Sequence, residues 1–221
     1  MRPFLLAGVA AFLAAVTNAS VAMSADPEPC SLPDPGDRFH NGFFARSDTG
    51  LSFLWASVRG PNGSSGRSAI RGWGQSAVIS VGGTPWRGLV LGGTVWTAQI
   101  DPTFVEGGKT VVPDDNSVKE TLLRVGPFVD WYPNPARGFH AQAAALFAVQ
   151  IESDVKGNPI KPASLGAALS VGAGYEWFVS SEFSVGLLGR LAVGRIVRAP
   201  SDGDEVMLFA IPELSLTATY H

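Results

Sequence analysis

Ser164-Leu165-Gly166-Ala167-Ala168-Leu169-Ser170-Val171-Gly172-Ala173-Gly174-Tyr175-Glu176-Trp177-Phe178 alternates in character from one residue to the next. Leu165, Ala167, Leu169, Val171, Ala173, Tyr175 and Trp177 share one face, while Gly166, Ala168, Ser170, Gly172, Gly174 and Glu176 share the other. A period of two with one large apolar face is a β-strand that keeps that face from water. The small residues and the single acid opposite form a second, tighter environment. The segment is also long: ordinary soluble strands run about five or six residues, whereas a tilted strand crossing a bilayer needs about 9–11.

The same pattern recurs along the chain. Phe183, Val185, Leu187, Leu191 and Val193 stand against Ser184, Gly186, Arg190 and Gly194, and Leu123, Val125, Val129 and Trp131 against Arg124, Gly126 and Asp130. Eight such segments are expected, at Gly42–Val58, Ser68–Val81, Leu89–Ile100, Lys119–Tyr132, Phe139–Ile151, Ser164–Phe178, Phe183–Val197 and Val206–Tyr220. In the second and third, Leu89, Leu91 and Trp96 do not sort cleanly between faces, which suggests a bulge. The breaks alternate in length. Gly82–Pro85, Pro133–Pro135 and Val179–Glu182 are brief, whereas Asp101–Val118 and Glu152–Ala163 are long and charged. Short turns at one end and longer loops at the other are the habit of up-and-down membrane barrels. An even strand count brings both ends of the barrel to the short-turn side, which is the periplasmic side in that reading.

The bulk numbers agree. Of 221 residues, 46% are hydrophobic and 16% charged, below the roughly 25% charged residues usual for soluble domains. A net charge of −3 gives no basic footprint for nucleic acid. The 26 glycines recur inside the apolar segments, which disfavours helices because an interior glycine costs about 0.8–1 kcal/mol relative to alanine. At the N-terminus, Arg2 followed by the apolar run Phe4–Val16 and the small residues Ser20-Val21-Ala22 reads as a cleaved secretory signal peptide, residues 1–22. Residues 23–41 read as a Pro-rich periplasmic leader without a core of its own, and residues 42–221 as the barrel. The lone Cys30 permits no intramolecular disulfide. Pro27-Glu28-Pro29 before it does not suit lipid attachment, so it is read as a free thiol.

Two features decide which face looks outward. Aromatic residues gather at segment ends: Phe43, Trp86, Trp131, Phe139, Tyr175, Trp177, Phe183 and Tyr220 on the short-turn side, with Trp55, Trp73 and Trp96 toward the long loops. Two girdles suit rings that seek lipid and polar tips that seek the interface. Charged residues occupy mid-segment positions on the small-residue face, namely Arg46, Asp48, Arg124, Asp130, Glu176, Arg190 and Glu213. Apolar outside and charged inside is the expectation, a polar lumen with three arginines against four acids.

With these residues in view, the chain resembles the small eight-stranded outer-membrane β-barrel proteins of Gram-negative bacteria, from Gly42 to its end. It is similar too to exported barrel proteins carrying phrases like Gly126-Pro127-Phe128-Val129-Asp130-Trp131-Tyr132-Pro133. Leu214-Ser215-Leu216-Thr217-Ala218-Thr219-Tyr220-His221 resembles a barrel-assembly signal, although its aromatic Tyr220 is penultimate where the commonest form ends on one. The resemblance implies an all-β, closed antiparallel up-and-down eight-stranded transmembrane barrel in the cell outer membrane. It also implies contact with outer-membrane lipid and lipopolysaccharide, and with the barrel-assembly machinery during insertion.

Eight strands enclose an interior just wide enough for side chains to fill it. A side-chain-plugged lumen with a structural or surface-interaction role is therefore the favoured reading, with a narrow or gated pore for ions or small solutes as the alternative. Catalysis is not expected. The three histidines, His40, His140 and His221, fall at the short-turn end, with His140 read as a rim residue, and no Gly-x-Ser-x-Gly, His-Glu-x-x-His or phosphate loop is present. No cofactor is called for. The loop acids Asp101, Glu106, Asp114, Asp115, Asp202, Asp204 and Glu205, with Lys109, are read as solvated charge in preference to a divalent-cation site. A soluble, lipocalin-like exported barrel with an apolar ligand inside is a further alternative, and it requires the two faces to be inverted.

Overall fold

The computed structural model describes residues 42–59, 68–106, 109–111, 118–135, 137–154, 163–198 and 205–221. The signal peptide, the Pro-rich leader, Cys30, His40 and the loop residues Asp114, Asp115, Asp202 and Asp204 lie outside the described residues, as do the side chains of Glu106 and Lys109.

Among the described residues nine strands form one antiparallel sheet. They are β1 (Gly42–Arg59), β2 (Ser68–Trp86), β3 (Leu89–Glu106), β4 (Lys109–Val111), β5 (Val118–Trp131), β6 (Phe139–Asp154), β7 (Ser164–Phe178), β8 (Phe183–Arg198) and β9 (Glu205–Tyr220). Eight of them close into a barrel, because β1 pairs with both β2 and β9 while β3 pairs with β2 and β5. β4 is a three-residue extension that pairs only with the end of β3. Closure leaves none of the long strands with an open edge. Among the described residues no helix is long and apolar enough to cross a membrane, which says nothing about crossing by strands.

The register sets the geometry. Followed across the sheet, Asp48 pairs with Val78, then Trp96, Arg124, Ala148, Gly166, Ile196 and Met207, and returns to β1 at Val58. That is a displacement of ten residues along one strand. A stagger of this size in eight strands tilts them about 40° from the axis.

Strand bounds follow the sequence expectation within three residues, except that β2 runs on to Trp86 and β3 to Glu106. The extra length of β2 carries Gly82-Gly83-Thr84-Pro85 into the hairpin, with a register shift between Gly83 and Trp86. Gly88, at φ 78°, makes the tight turn that follows, a conformation glycine adopts without steric cost. Earlier in β3 the alternation is clean: Val90, Thr94, Trp96, Ala98 and Ile100 are buried, while Leu91 and Val95 are exposed. The irregularity expected in these two strands lies at their hairpin end, where Gly83 pairs with Leu91 but Trp86 with Leu89. The difficulty in the sequence arose because apolar residues lie on both faces of β3.

The outward face is a belt of large apolar side chains, including Leu51, Ile79, Val125, Leu169, Val171, Leu191 and Leu216. Among the described residues no charged side chain faces outward between two rims. Arg71, Asp101, Lys119 and Arg195 mark the long-loop rim, and Arg87 and Glu182 the short-turn rim. An apolar band flanked in this way is what the lipid-facing surface of a membrane barrel shows. A soluble barrel would need the opposite arrangement.

Candidate functional site: the barrel lumen

Alternate residues of all eight strands point inward, and large side chains fit because glycines face them. A β-carbon on Gly172 would lie 2.6 Å from Arg190 Cγ, and one on Gly92 would lie 2.7 Å from Phe128 Cε1. With that space supplied, the inward residues stack in three layers.

Nearest the short turns, Glu176 is the centre of a hydrogen-bonded cluster. It accepts from the hydroxyls of Thr219 at 2.7 Å, Ser184 at 2.8 Å and Tyr132 at 3.3 Å, and His221 Nε2 lies 3.4 Å away. His140 stacks flat on Tyr132, with ring centroids 5.1 Å apart and planes at 13°. Its Nδ1 is 2.8 Å from Asp130 Oδ1. His140 is fully buried, so the rim position expected for it is corrected. It is an inward residue of β6, and the inward-facing Gly174 on the neighbouring strand leaves space for its ring.

The middle layer is an ion-pair ladder. Arg46 donates to Asp130 at 2.5 Å and approaches Asp48 at 3.3 Å and Glu176 at 4.0 Å. Asp48 continues to Arg190 at 2.8 Å, Arg190 approaches Glu213 at 3.8 Å, and Glu213 accepts from Arg124 at 2.8 Å. Charges alternate along this path from the short-turn layer into the barrel, and all seven side chains are buried. Buried charges offset their desolvation only when paired and hydrogen-bonded; each member of the ladder makes at least one such bond, while Arg46 Nη2, Arg124 Nη1 and Glu213 Oε2 make none.

Trp96 lies within the ladder. The guanidinium carbons of Arg124 and Arg190 stand 4.0 and 4.4 Å from its ring centre. Two cations share one aromatic ring, and Glu213 supplies the anion between them. Trp96 is 1% exposed and is not a girdle residue, a second correction to the sequence reading. Its position in β3 pairs with Val78 and Arg124, both inward-facing.

Toward the long loops the lumen turns apolar. Leu54, Ile100, Leu122, Ile196, Phe209 and Ile211 are buried and belong to one hydrophobic cluster. The polar lumen expected from the sequence therefore shares the interior with an apolar cluster. The balance of three arginines against four acids changes too, because Glu120 is buried at this level and accepts from Gln150 at 2.6 Å. Sequence reasoning passed over Glu120, His140 and His221 as lumen residues. Their parity within the strands would have placed the first two.

On the outside, Phe43, Trp86, Trp131, Phe139, Tyr175, Trp177 and Phe183 are exposed near the short turns. Tyr220 packs against Phe43 and Phe183 with centroids 6.2 and 5.1 Å apart. Trp55 and Trp73 are exposed near the long-loop rim, where Arg71 stacks over Trp55 at 5.4 Å. Among the described residues no group of three or more histidine, cysteine or acidic side chains is placed to hold a metal ion.

No family model matches the chain, and no curated protein matches it in sequence. Solved structures match it in fold. The outer membrane protein OprG from Pseudomonas aeruginosa superposes with a TM-score of 0.50 at 10% identity, over 85% of this chain and 100% of that one. Neisserial surface protein A gives 0.46 at 14% identity over 81% and 97%, and the outer membrane protease OmpT from Escherichia coli 0.46 at 9% over 83% and 98%. At such identities the likeness to OprG is one of fold. This chain has the fold of an outer-membrane β-barrel.

Proposed function

We propose that the chain is an outer-membrane protein whose barrel is a sealed scaffold, non-conducting and non-catalytic, that displays its long loops for contacts at the cell surface. In this reading both termini are periplasmic, the N-terminal segment is a cleaved export signal, and the barrel-assembly machinery inserts the chain. The observation that carries it is the pairing of an uncharged apolar exterior with a lumen whose ion-pair ladder ends under an apolar layer. An ion moving along the axis would have to break the ladder and then pass Leu54, Ile100, Leu122 and Phe209, at a level where Glu120 is already held by Gln150.

Ser184, His221 and Glu176 superficially resemble a hydrolytic constellation. The serine hydroxyl and the carboxylate both address the same imidazole nitrogen, Nε2, at 2.9 and 3.4 Å. A nucleophile–base–acid relay needs the acid on the other nitrogen, to orient the ring. The trio is read as a plug. A gated narrow pore is the second reading. What favours it is that Arg124 Nε and Nη1 and the Ser52 and Ser76 hydroxyls form no hydrogen bond among the described residues, so the polar packing leaves donors in reserve.

Cell fractionation combined with heat-modifiable gel mobility tests the location. The proposal expects the chain in the outer-membrane fraction, migrating differently before and after boiling. A single mobility together with recovery in the soluble periplasmic fraction would overturn it.

A further inference from the structure

The outward belt is uneven at one place. Across β5, β6, β7, β8 and β9 a single cross-strand row reads Val125, Phe147, Ala167, Arg195 and Leu208. Beneath it, Ala145 stands opposite Leu169. The two alanines expose only a methyl group between exposed Phe147, Leu169 and Leu208, and the dip between them is a groove of about 830 Å³. Sites for small molecules span about 300–1,000 Å³. Apart from Arg195, its outward-facing walls are apolar.

Arg195 stands at the long-loop end of this groove, exposed and directly opposite Ala167. Among the described residues no acid pairs with it. An unpaired guanidinium at the head of an apolar groove is complementary to an amphiphile with an anionic head and hydrocarbon tails. A guanidinium also matches phosphate oxygens in a bidentate fork.

We propose that this groove binds one molecule of lipid A, the phosphorylated, multiply acylated glycolipid of lipopolysaccharide, with an acyl chain over Ala145 and Ala167 and a phosphate on Arg195. The choice of lipid A rests on the reading above, which turns the long-loop end toward the outer leaflet.

The test uses the folded full chain, purified in detergent and titrated with bis-phosphorylated lipid A, dephosphorylated lipid A and dioleoyl phosphatidylglycerol, with retained lipid counted by native mass spectrometry. The wild-type protein is expected to retain one lipid A and to lose it when the phosphates are removed. Arg195→Gln weakens retention about tenfold, the loss of one good charge-assisted contact. Ala167→Phe and Ala145→Phe each fill the groove and abolish retention. Arg71→Gln removes a rim cation three strands away, stacked on Trp55, and leaves binding unchanged. Both alanines face outward, so heat-modifiable mobility verifies that each filled variant has folded.

Retention untouched by Arg195→Gln and by both groove-filling substitutions would overturn the site. So would an equal loss in Arg71→Gln. Equal binding of phosphatidylglycerol with the same Arg195 dependence would overturn the assignment to lipid A. Each outcome is read on protein already shown to be folded, so a failure here leaves the outer-membrane reading standing on its own fractionation test.

Discussion

Replacing Arg46 by methionine removes the charge that joins the two lower lumen layers while keeping a side chain of similar length. Arg46 is 0% exposed and touches three carboxylates, those of Asp130, Asp48 and Glu176. Breaking a buried ion pair costs about 3–5 kcal/mol, because the partner is left charged and unpaired. Here each acid retains a second partner. Asp130 keeps His140 at 2.8 Å, Asp48 keeps Arg190 at 2.8 Å, and Glu176 keeps the hydroxyls of Ser184 and Thr219 at 2.8 and 2.7 Å. The loss therefore belongs at the lower end, about 3 kcal/mol. Urea unfolding of the barrel in phosphatidylcholine vesicles, followed by tryptophan fluorescence and gel mobility, measures it. Adding Asp130→Asn to Arg46→Met should restore about 1–2 kcal/mol, since neighbouring groups in one network are coupled. Arg71→Met, at the exposed rim, should change stability by less than about 0.5 kcal/mol. A loss under about 1 kcal/mol for Arg46→Met, the value of a solvated pair, would refute a buried ladder.

Three further outcomes follow from the same geometry. Val171→Arg, in the middle of the outward belt, should destabilise the barrel in vesicles by about 2–4 kcal/mol, whereas a water-facing position would tolerate it. Gly172→Ala places a methyl group against Arg190 and the Gly189 carbonyl, and should cost about 1–3 kcal/mol by equilibrium unfolding. Gly189→Ala faces outward with its nearest neighbour 3.9 Å away and should be close to neutral. A variant retaining only Trp96 of the six tryptophans should resist quenching both by brominated lipid and by acrylamide, whereas one retaining only Trp131 should be quenched by brominated lipid.

Much of the barrel was legible in the sequence because alternation over fifteen or more residues carries its own register. Ser164–Phe178 is read identically in sequence and structure, and the parity of Arg46, Arg124 and Arg190 puts them on the small-residue face. The limits have physical causes. Hydropathy sorts faces only when they differ, and in β3 the inward Val90, Trp96 and Ile100 are as apolar as the outward Leu91 and Val95. Only cross-strand pairing to Arg124 and Val78 reveals that Trp96 points inward. The apolar upper lumen escaped notice for the same reason: Leu54, Leu122 and Ile196 read as ordinary strand hydrophobes until the ten-residue stagger brings them to one level. Nearness to a turn points His140 to the rim, yet at this tilt the inward residues beside a turn already lie within the closed lumen. Hairpins extended past the belt in β2 and β3 because paired backbone groups stay satisfied beyond it.

The central claim is a barrel with lipid outside and a sealed, charge-paired interior. Conductance of the purified, folded protein in a planar lipid bilayer tests it most directly. The wild type is expected to carry no steady current at moderate voltage. A steady, ohmic current that is abolished or altered by Glu213→Gln or Arg190→Met would contradict it, because ions would then be passing through the ladder itself.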